Sequence, residues 1–142
     1  MVRFNRSEPR IPVADLRRTI EFYTQTLGFC EMARWPVDAP EYFTILYRDQ
    51  VGVGFTTLSF PGAAGAPTPC ELHFEVDDVR GLYETLKDKS IVIWGPEVER
   101  DQDGNEVGWR VDVRDPDGHF VIFFEPTYRK QGSRVGLTSR RS

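Results

Sequence analysis

The sequence contains an internal repeat, and this repeat constrains the fold more than any other feature. Residues 13–23 (VADLRRTIEFY) return 63 residues later as residues 76–86 (VDDVRGLYETL), with valine, aspartate, arginine and glutamate in register. Residues 47–55 (YRDQVGVGF) align with residues 115–123 (DPDGHFVIF) at an offset of 68. Two such copies predict one supersecondary unit that is formed twice.

Each copy is predicted to form a strand, a helix and three further strands, which gives an α+β fold of two βαβββ modules. Asp15 and Asp78 are the predicted helix N-caps, because each precedes apolar residues at helical spacing. The predicted strands are 8–13, 29–35, 42–47 and 51–58, then 71–76, 91–94, 109–114 and 120–125. The modules span about 6–60 and 70–126 of a domain over 1–128, with a Pro- and Gly-rich linker at 60–70 and a basic tail at 129–142.

Composition narrows the functional classes. A net charge of −4 over 142 residues disfavours a nucleic-acid partner. No apolar run approaches the roughly 20 residues of a membrane helix, and the first residues do not begin like a signal peptide. We therefore expect a cytoplasmic protein without membrane contact. Cys30 and Cys70 lack metal-site spacing, so they are expected to be reduced thiols.

Alternation along the strands separates two faces of the predicted sheet. Leu72 and Phe74 point one way and must cover the helices, whereas their neighbours point to the opposite, open side. That open face is the candidate binding site. Its predicted members from the second module are Glu71, His73, Glu75, Arg110, Asp112, Phe120, Ile122 and Phe124. In the first module, alternation along residues 51–56 adds Gly52, Gly54 and Thr56, and the repeat offset adds Tyr42, Thr44 and Leu46.

Two short motifs carry a resemblance to a known family. The opening Val13-Ala14-Asp15-Leu16, followed by Phe22-Tyr23 and Leu27-Gly28-Phe29, and the closing segment 114–118 (RDPDG) resemble the vicinal oxygen chelate superfamily over about residues 6–126. That superfamily includes glyoxalase I, extradiol dioxygenases, fosfomycin-resistance enzymes and bleomycin-resistance proteins. The resemblance implies that the two modules form a cupped mixed sheet with the helices on its outer face. It also implies that catalytic members hold a divalent metal at the floor of the cup.

The metal positions of the family are only half occupied by suitable residues. Carried over one by one, they fall at Glu8, Gly54, Glu71 and Ile122. Because Gly54 and Ile122 have no ligating side chain, we expect no metal and no other cofactor. If one divalent metal such as Zn, Ni, Mn or Fe does bind, Glu8, Glu71 and His73 are its expected ligands. His73 would lie about 6–7 Å further along the strand than Glu71, so such a site would have to be rearranged.

Within the superfamily, the sequence is most similar to the bleomycin-resistance proteins, which bind their drug without a catalytic metal. That similarity implies a homodimer in which a strand hinged near Pro9 is exchanged between protomers. One departure is that Val107 stands where an aromatic residue often precedes the glycine, while Trp109 follows Gly108. The wall of the crevice, and with it the drug specificity, is therefore expected to differ.

Three functional hypotheses follow. The leading one is a metal-independent protein that sequesters a cationic or aromatic small molecule, with aromatic side chains for stacking and Glu8, Glu71, Glu75 and Asp112 to attract positive charge. The alternative is a metal-dependent glyoxalase-like lyase or isomerase, or a dioxygenase, acting on a substrate with vicinal oxygens. The third is a partner-binding module that uses the basic tail.

Some residues keep alternative interpretations. His73, flanked on its face by carboxylates, could act as a general acid or base, contact a ligand, or only make hydrogen bonds. His119 is expected to serve a turn, and the three tryptophans are expected to pack rather than to recognise a ligand. The paired glycines Gly52 and Gly54 indicate the close approach of a ligand or of backbone.

Overall fold

The computed structural model describes residues 1–5, 7–38, 42–57 and 69–127, and within them the fold follows the predicted order. The first module contains β1 (Arg10–Pro12), α1 (Leu16–Glu21), a turn of π-helix (Phe22–Thr26), β2 (Cys30–Trp35), β3 (Phe43–Arg48) and β4 (Val51–Thr56). The second contains β5 (Glu71–Glu75), α2 (Val79–Leu86), a 3₁₀ turn (Lys87–Lys89), β6 (Val92–Arg100), β7 (Glu106–Arg114) and β8 (Phe120–Pro126).

The two modules have the same sheet topology. The first forms a four-stranded sheet in the order β1-β4-β3-β2, and the second forms one in the order β5-β8-β7-β6. In each sheet the first strand pairs parallel to the last, and the remaining pairs are antiparallel. The predicted α+β fold of two βαβββ modules is confirmed.

The chain divides into two compact units that nearly coincide with the modules. The first unit comprises Met1–Cys70 together with Asp115–His119, and the second comprises Glu71–Arg114 and Phe120–Ser142. The turn between β7 and β8 therefore belongs to the first unit. Most of the predicted linker (60–70) and the whole predicted tail (129–142) lie outside the described residues.

Helix α1 begins where the sequence predicts. The Asp15 side chain accepts a hydrogen bond from the Arg18 backbone N–H at 3.1 Å, which satisfies one of the free amides of the first turn. The apolar stripe of the helix then continues into the π-helical turn, where Tyr23 is completely buried. Gly28, at a φ of 73°, follows that turn in the left-handed conformation that glycine adopts without strain.

Helix α2 is held at its N-terminus by two carboxylates. Asp78 accepts from the Gly81 backbone N–H at 2.9 Å, as the repeat predicts. Glu125, a buried residue of β8, accepts from the Val79 backbone N–H at 3.1 Å. Val79 and Leu86 are fully buried and attach the helix to its sheet. Within the described part of the chain, no helix is long and apolar enough to cross a membrane.

Three strands differ clearly in length from the prediction, and one of them, β7, begins at Glu106 rather than at residue 109. β1 is only three residues long, and it begins after Glu8 and Pro9 rather than at residue 8. β6 extends to Arg100 rather than ending at residue 94, because register shifts against β7 let it continue past Gly95 and Pro96.

Candidate functional site

The open face of the first module is not composed as predicted. Thr44 pairs with Phe55, and Leu46 pairs with Val53. Paired residues point to the same side of a sheet, and the Phe55 ring lies 4.6 Å from the buried ring of Tyr23. Thr44 and Leu46 are fully buried on the helix side, so their placement on the open face is wrong.

A one-residue difference between the two hairpins explains this error. Tyr47 pairs with Gly52 in the first module, five positions further along the chain. Arg114 pairs with Phe120 in the second module, six positions further along. A shift of one residue turns every side chain of a strand to the other face. The offset of 68 therefore holds for β4 and β8 but not for β3, whose open-face residues are Phe43, Ile45 and Tyr47.

Tyr42 precedes β3 rather than belonging to it. Its ring lies 5.5 Å from that of Trp35, and both rings are exposed, Trp35 to 59%. Exposure at this level does not fit the expectation that Trp35 packs in the core. The role of Tyr42 as a stacking residue stays a prediction.

Gly54 is covered by the protein itself. A Cβ atom at this position would lie 3.2 Å from the Phe43 ring and 3.2 Å from the Pro9 carbonyl oxygen. The Gly54 N–H donates to that oxygen at 2.9 Å, and the Arg10 guanidinium lies 4.2 Å from the centre of the Phe43 ring. The close approach that the glycine indicates is made by backbone and by these two side chains.

Gly52 has more space around it than Gly54. It lines a cavity of about 210 Å³ within the first unit, whose other lining residues are Ser7, Glu8, Met32, Ile45, Tyr47, Asp49, Gln50 and Val51. Glu8 pairs with Arg10 at 3.5 Å, and its side chain is 18% exposed. The cavity thus combines an apolar floor with two carboxylates.

The open face of the second module is composed as the alternation predicts. Along β5 and β8, Glu71 pairs with Phe120, His73 with Ile122, and Glu75 with Phe124. Along β8 and β7, Phe124 pairs with Arg110, and Ile122 pairs with Asp112. All eight predicted residues of this module therefore lie on one side of its sheet, which we call the second open face. Their role in binding a ligand stays a prediction.

Burial distinguishes the floor of this face from its accessible part. Ile122 is 3% exposed and Asp112 is 7% exposed, so both are covered by their neighbours. Glu71, His73 and Glu75 are exposed along β5. The His73 ring lies 5.9 Å from the ring of Phe124, which places an imidazole beside an aromatic surface. The accessible part of the face therefore carries carboxylates next to aromatic rings.

Arg110 lies between acidic side chains on this face. Its Nε and Nη2 donate to the two carboxylate oxygens of Asp112 at 2.7 and 2.8 Å, and its Nη1 lies 3.6 Å from Glu99. The hydrogen bond to Asp112 raises the pKa of the Arg110 guanidinium, and the charges of Asp112, Glu99 and Glu71 act in the same direction. Its Cζ also lies 5.4 Å from the centre of the Trp94 ring.

Trp94 and Glu99 were not among the predicted site residues. Trp94 pairs with Asp112 across β6 and β7, and it is 40% exposed rather than packed in the core. The register shifts along β6 hide this placement from the sequence, because regular alternation is lost at each shift.

A second polar cluster is buried in the first unit, and only its turn was predicted. Asp115 accepts from the Tyr23 hydroxyl at 2.9 Å and from the backbone N–H groups of Asp117 and His119 at 2.9 Å each. His119 is completely buried rather than being only a turn residue. Its Nδ1 accepts from the Cys70 N–H at 3.0 Å, so Nε2 carries the proton and donates to the Pro12 carbonyl at 2.9 Å.

Burial governs the ionisation of this cluster. It raises the pKa of the Asp115 carboxyl, while the hydrogen bonds from Tyr23 and the backbone lower it, and the net change is upward. The pKa of Tyr23 rises steeply for the same reason, with the Asp115 charge adding to the effect. Burial also raises the pKa of Cys70, which is a free thiol like Cys30. A thiol with a raised pKa is a poor nucleophile.

The donor set does not fit a catalytic metal. Across the described ranges, no group of three or more His, Cys, Asp or Glu side chains is arranged to hold a metal ion. Gly54 offers no donor and is covered by Phe43, and Ile122 is buried and apolar. A divalent catalytic centre ordinarily takes three or more protein ligands.

The fold and these faces define a two-module βαβββ protein, and comparison with known proteins gives its family. The family model of the Glyoxalase/Bleomycin resistance protein/Dioxygenase superfamily matches residues 4–123. The chain belongs to this superfamily. No curated protein matches the chain.

Solved structures show the same fold at low sequence identity. TnmS3, an antibiotic binding protein from Streptomyces sp. CB03234, is 20% identical with a TM-score of 0.69, covering 89% of this chain and 99% of its own. TioX from Micromonospora sp. ML1 is 17% identical with a TM-score of 0.70, covering 87% and 99%. A lactoylglutathione lyase from Agrobacterium tumefaciens is 19% identical with a TM-score of 0.64, covering 85% and 92%.

Proposed function

We propose that this protein binds and sequesters a small molecule that is aromatic, cationic or both, without a metal cofactor and without modifying the molecule. The observation that carries the proposal is the second open face. On one side of a single sheet it joins the rings of Phe120, Phe124 and Trp94 to the carboxylates of β5. Aromatic faces attract cations, and carboxylates beside them add to that attraction.

The ion pair on this face also supports binding rather than catalysis. Asp112 and Arg110 already satisfy each other in a two-point hydrogen bond, so neither is poised as an acid, base or nucleophile. His73 is exposed beside Phe124, where it can contact a bound ligand. TnmS3, which has the same fold, is an antibiotic binding protein, so a protein of this fold can serve binding.

A metal-dependent lyase, isomerase or dioxygenase is the weaker reading. The superfamily contains dioxygenases, and one structure of the same fold is a lactoylglutathione lyase. However, two of the four family metal positions are Gly54 and Ile122, which have no ligating side chain. Glu8 lies before β1 and pairs with Arg10.

The proposal includes a homodimer and a cytoplasmic location. The superfamily resemblance implies the dimer through exchange of an N-terminal strand that is hinged near Pro9. Sedimentation equilibrium, with and without residues 1–9, tests it. A monomer at micromolar concentration for the full chain would remove the dimer from the proposal.

Ligand binding is tested by titrating matched aromatic compounds while tryptophan fluorescence is recorded. A bleomycin-type glycopeptide and a planar aromatic cation are compared with a neutral analogue of the cation. We expect saturable quenching by the cations, weakened about tenfold by the double variant Glu71→Gln/Glu75→Gln, since the two lost carboxylate–cation attractions, each about 0.5–1 kcal/mol, add together. Glu84→Gln is the matched control, because Glu84 lies on α2 and pairs with Lys87 at 2.6 Å.

Two results would contradict the proposal. One is the absence of binding by any of these compounds up to high micromolar concentration. The other is stoichiometric Zn, Ni, Mn or Fe in protein purified without chelator, with the metal lost on Glu8→Ala or Glu71→Ala.

A further inference from the structure

The surroundings of Arg110 are those of a bound cation. All three nitrogens of its guanidinium face carboxylates: Nε and Nη2 face Asp112 at 2.7 and 2.8 Å, and Nη1 faces Glu99 at 3.6 Å. The flat group also lies 5.4 Å from the centre of the Trp94 ring. With every nitrogen directed at an acidic group, Arg110 is not arranged to receive an anionic ligand.

The carboxylate at the centre of this arrangement needs a positive partner. The Asp112 side chain is only 10% exposed, so an ionised Asp112 without a cation would lose most of its solvation. The Arg110 side chain is 29% exposed, and Arg110 reaches the site from β7 on a flexible stem. The acceptor is therefore fixed in the sheet, while the cation that fills it can leave towards solvent.

We propose that Asp112, Glu99 and Trp94 form a subsite for a planar cation, a guanidinium or an amidinium, and that Arg110 occupies this subsite in the ligand-free protein. A ligand that carries such a group competes with Arg110 for the same carboxylate. The inference deepens the proposed function by naming the charged group of the ligand, and it rests on that function only for the statement that a ligand exists. The subsite itself can be tested with small ions.

Geometry sets the selectivity of the subsite. A carboxylate that accepts two parallel N–H bonds matches the fork of a guanidinium or amidinium, whereas an ammonium ion offers only a point charge. A planar cation can also lie flat against an indole ring. We therefore expect methylguanidinium to bind about tenfold more tightly than methylammonium once the subsite is vacated.

The first experiment vacates the subsite and refills it. Arg110→Ala leaves Asp112 without its partner, and its thermal midpoint is measured with methylguanidinium, methylammonium or sodium chloride at equal low-millimolar ionic strength. We expect a saturable rise in midpoint with methylguanidinium, a smaller rise with methylammonium and none with sodium. The wild-type protein should show no such rise, because its own arginine fills the subsite.

Three variants make the result specific. Arg80→Ala also removes an arginine that stacks on a tryptophan, since Arg80 lies 4.6 Å from the Trp109 ring, but it should show no guanidinium-specific response. Arg110→Ala/Asp112→Asn should lose the response, because the charged acceptor is gone. Arg110→Met keeps the apolar stem and replaces Arg110→Ala if the alanine variant does not fold.

The second experiment uses benzamidine, an aromatic amidinium, with tryptophan fluorescence as the signal. We expect it to bind Arg110→Ala or Arg110→Met at least about tenfold more tightly than the wild-type protein. Equal responses of the Arg110 and Arg80 variants, or a response that survives Asp112→Asn, would overturn the subsite. If the wild-type protein binds no antibiotic-like ligand while the Arg110 variants still bind benzamidine, the proposed function fails and the subsite stands.

Discussion

Replacing Tyr23 by phenylalanine removes a single oxygen atom from the core of the first unit. The hydroxyl donates to Asp115 at 2.9 Å, and both residues are buried, Tyr23 completely and Asp115 to 95%, since it is 5% exposed. The ring itself can stay in place against Phe55 and Phe29, whose ring centres lie 4.6 and 5.7 Å away. The substitution therefore deletes a hydrogen bond without opening a cavity.

The expected loss of stability follows from the negative charge of Asp115, which accepts the hydrogen bond. A hydrogen bond to a buried charged group contributes about 1.5–3 kcal/mol, so we expect Tyr23→Phe to lower the free energy of unfolding by about 2 kcal/mol at pH 7. For a chain of this size, that corresponds to a fall in Tm of about 6–8 °C. Tyr47→Phe is the control, because Tyr47 is 37% exposed and its change should stay below about 0.5 kcal/mol.

The loss should also depend on pH. Burial raises the pKa of Asp115 above its ordinary value of 3.8, and the Tyr23 hydroxyl opposes that rise. A carboxyl with a raised pKa contributes stability that is present below its unfolded value and lost as pH rises through its folded value. Without the hydroxyl, the folded pKa rises further. The difference between variant and wild type should therefore be largest at neutral pH and should shrink as pH falls through the two folded pKa values, both of which lie above 3.8.

Urea unfolding between pH 3 and pH 8 measures this difference. We expect the midpoint of Tyr23→Phe to fall at neutral pH with an unchanged slope, and to approach that of the wild type in acid. A loss below 0.5 kcal/mol at pH 7, or a loss that is the same at every pH, would refute the assignment of a charged Asp115 as the acceptor.

Two further substitutions test the strands and the caps by urea unfolding. Gly108→Ala should lower the free energy of unfolding by about 2 kcal/mol, since its Cβ would lie 2.5 Å from the Phe124 ring. Gly52→Ala is the control and should be close to neutral, because its Cβ would lie 4.0 Å from the nearest neighbouring atom. Equal losses of stability in the two variants would contradict the packing around Gly108. Asp78→Ala should cost about 1 kcal/mol through the lost N-cap of α2, and Asp88→Ala, in the exposed 3₁₀ turn, should cost less than half of that.

Most of the fold could be predicted from the sequence, because the same pattern of helix and strand residues occurs in both modules. Asp15 and Asp78 cap their helices as expected, and the parallel pairing of the first and last strand recurs in both sheets. The strand ends were less accurate. β1 is shortened beside its prolines, and β6 continues through register shifts that break regular alternation.

The candidate site could be predicted in the second module only. There, β5, β7 and β8 alternate regularly, so period-two reasoning places each side chain on the correct face. In the first module the same reasoning failed at Thr44 and Leu46, because a hairpin one residue shorter reverses β3. The buried cluster around Asp115 and His119 was missed for another reason: its partners lie far apart in the sequence, and no local pattern signals their contact.

The registers then show how the two copies have diverged. Phe43 and Ile45 of the first module occupy the positions that correspond to Arg110 and Asp112 in the second. Phe43 and Arg110 pair with equivalent positions on the last strand of their sheets, and so do Ile45 and Asp112. In the first module the bulky side chain stands on β3, and the neighbouring strand has Gly54 to make room for it.

In the second module this arrangement is reversed. Here the last strand, β8, contributes the large apolar side chains, which are Phe120, Ile122 and Phe124. β7 contributes the ion pair of Arg110 and Asp112. Both modules place an arginine beside a carboxylate and an aromatic ring, Arg10 with Glu8 and Phe43 in the first and Arg110 with Asp112 and Trp94 in the second. Asp112 is the more buried of the two carboxylates, and it accepts two hydrogen bonds from its arginine. A duplicated backbone can thus keep its topology while its two copies place their ion pairs differently, and Arg110→Ala tests the proposed subsite of the second copy because it removes the cation and leaves the acceptor in place.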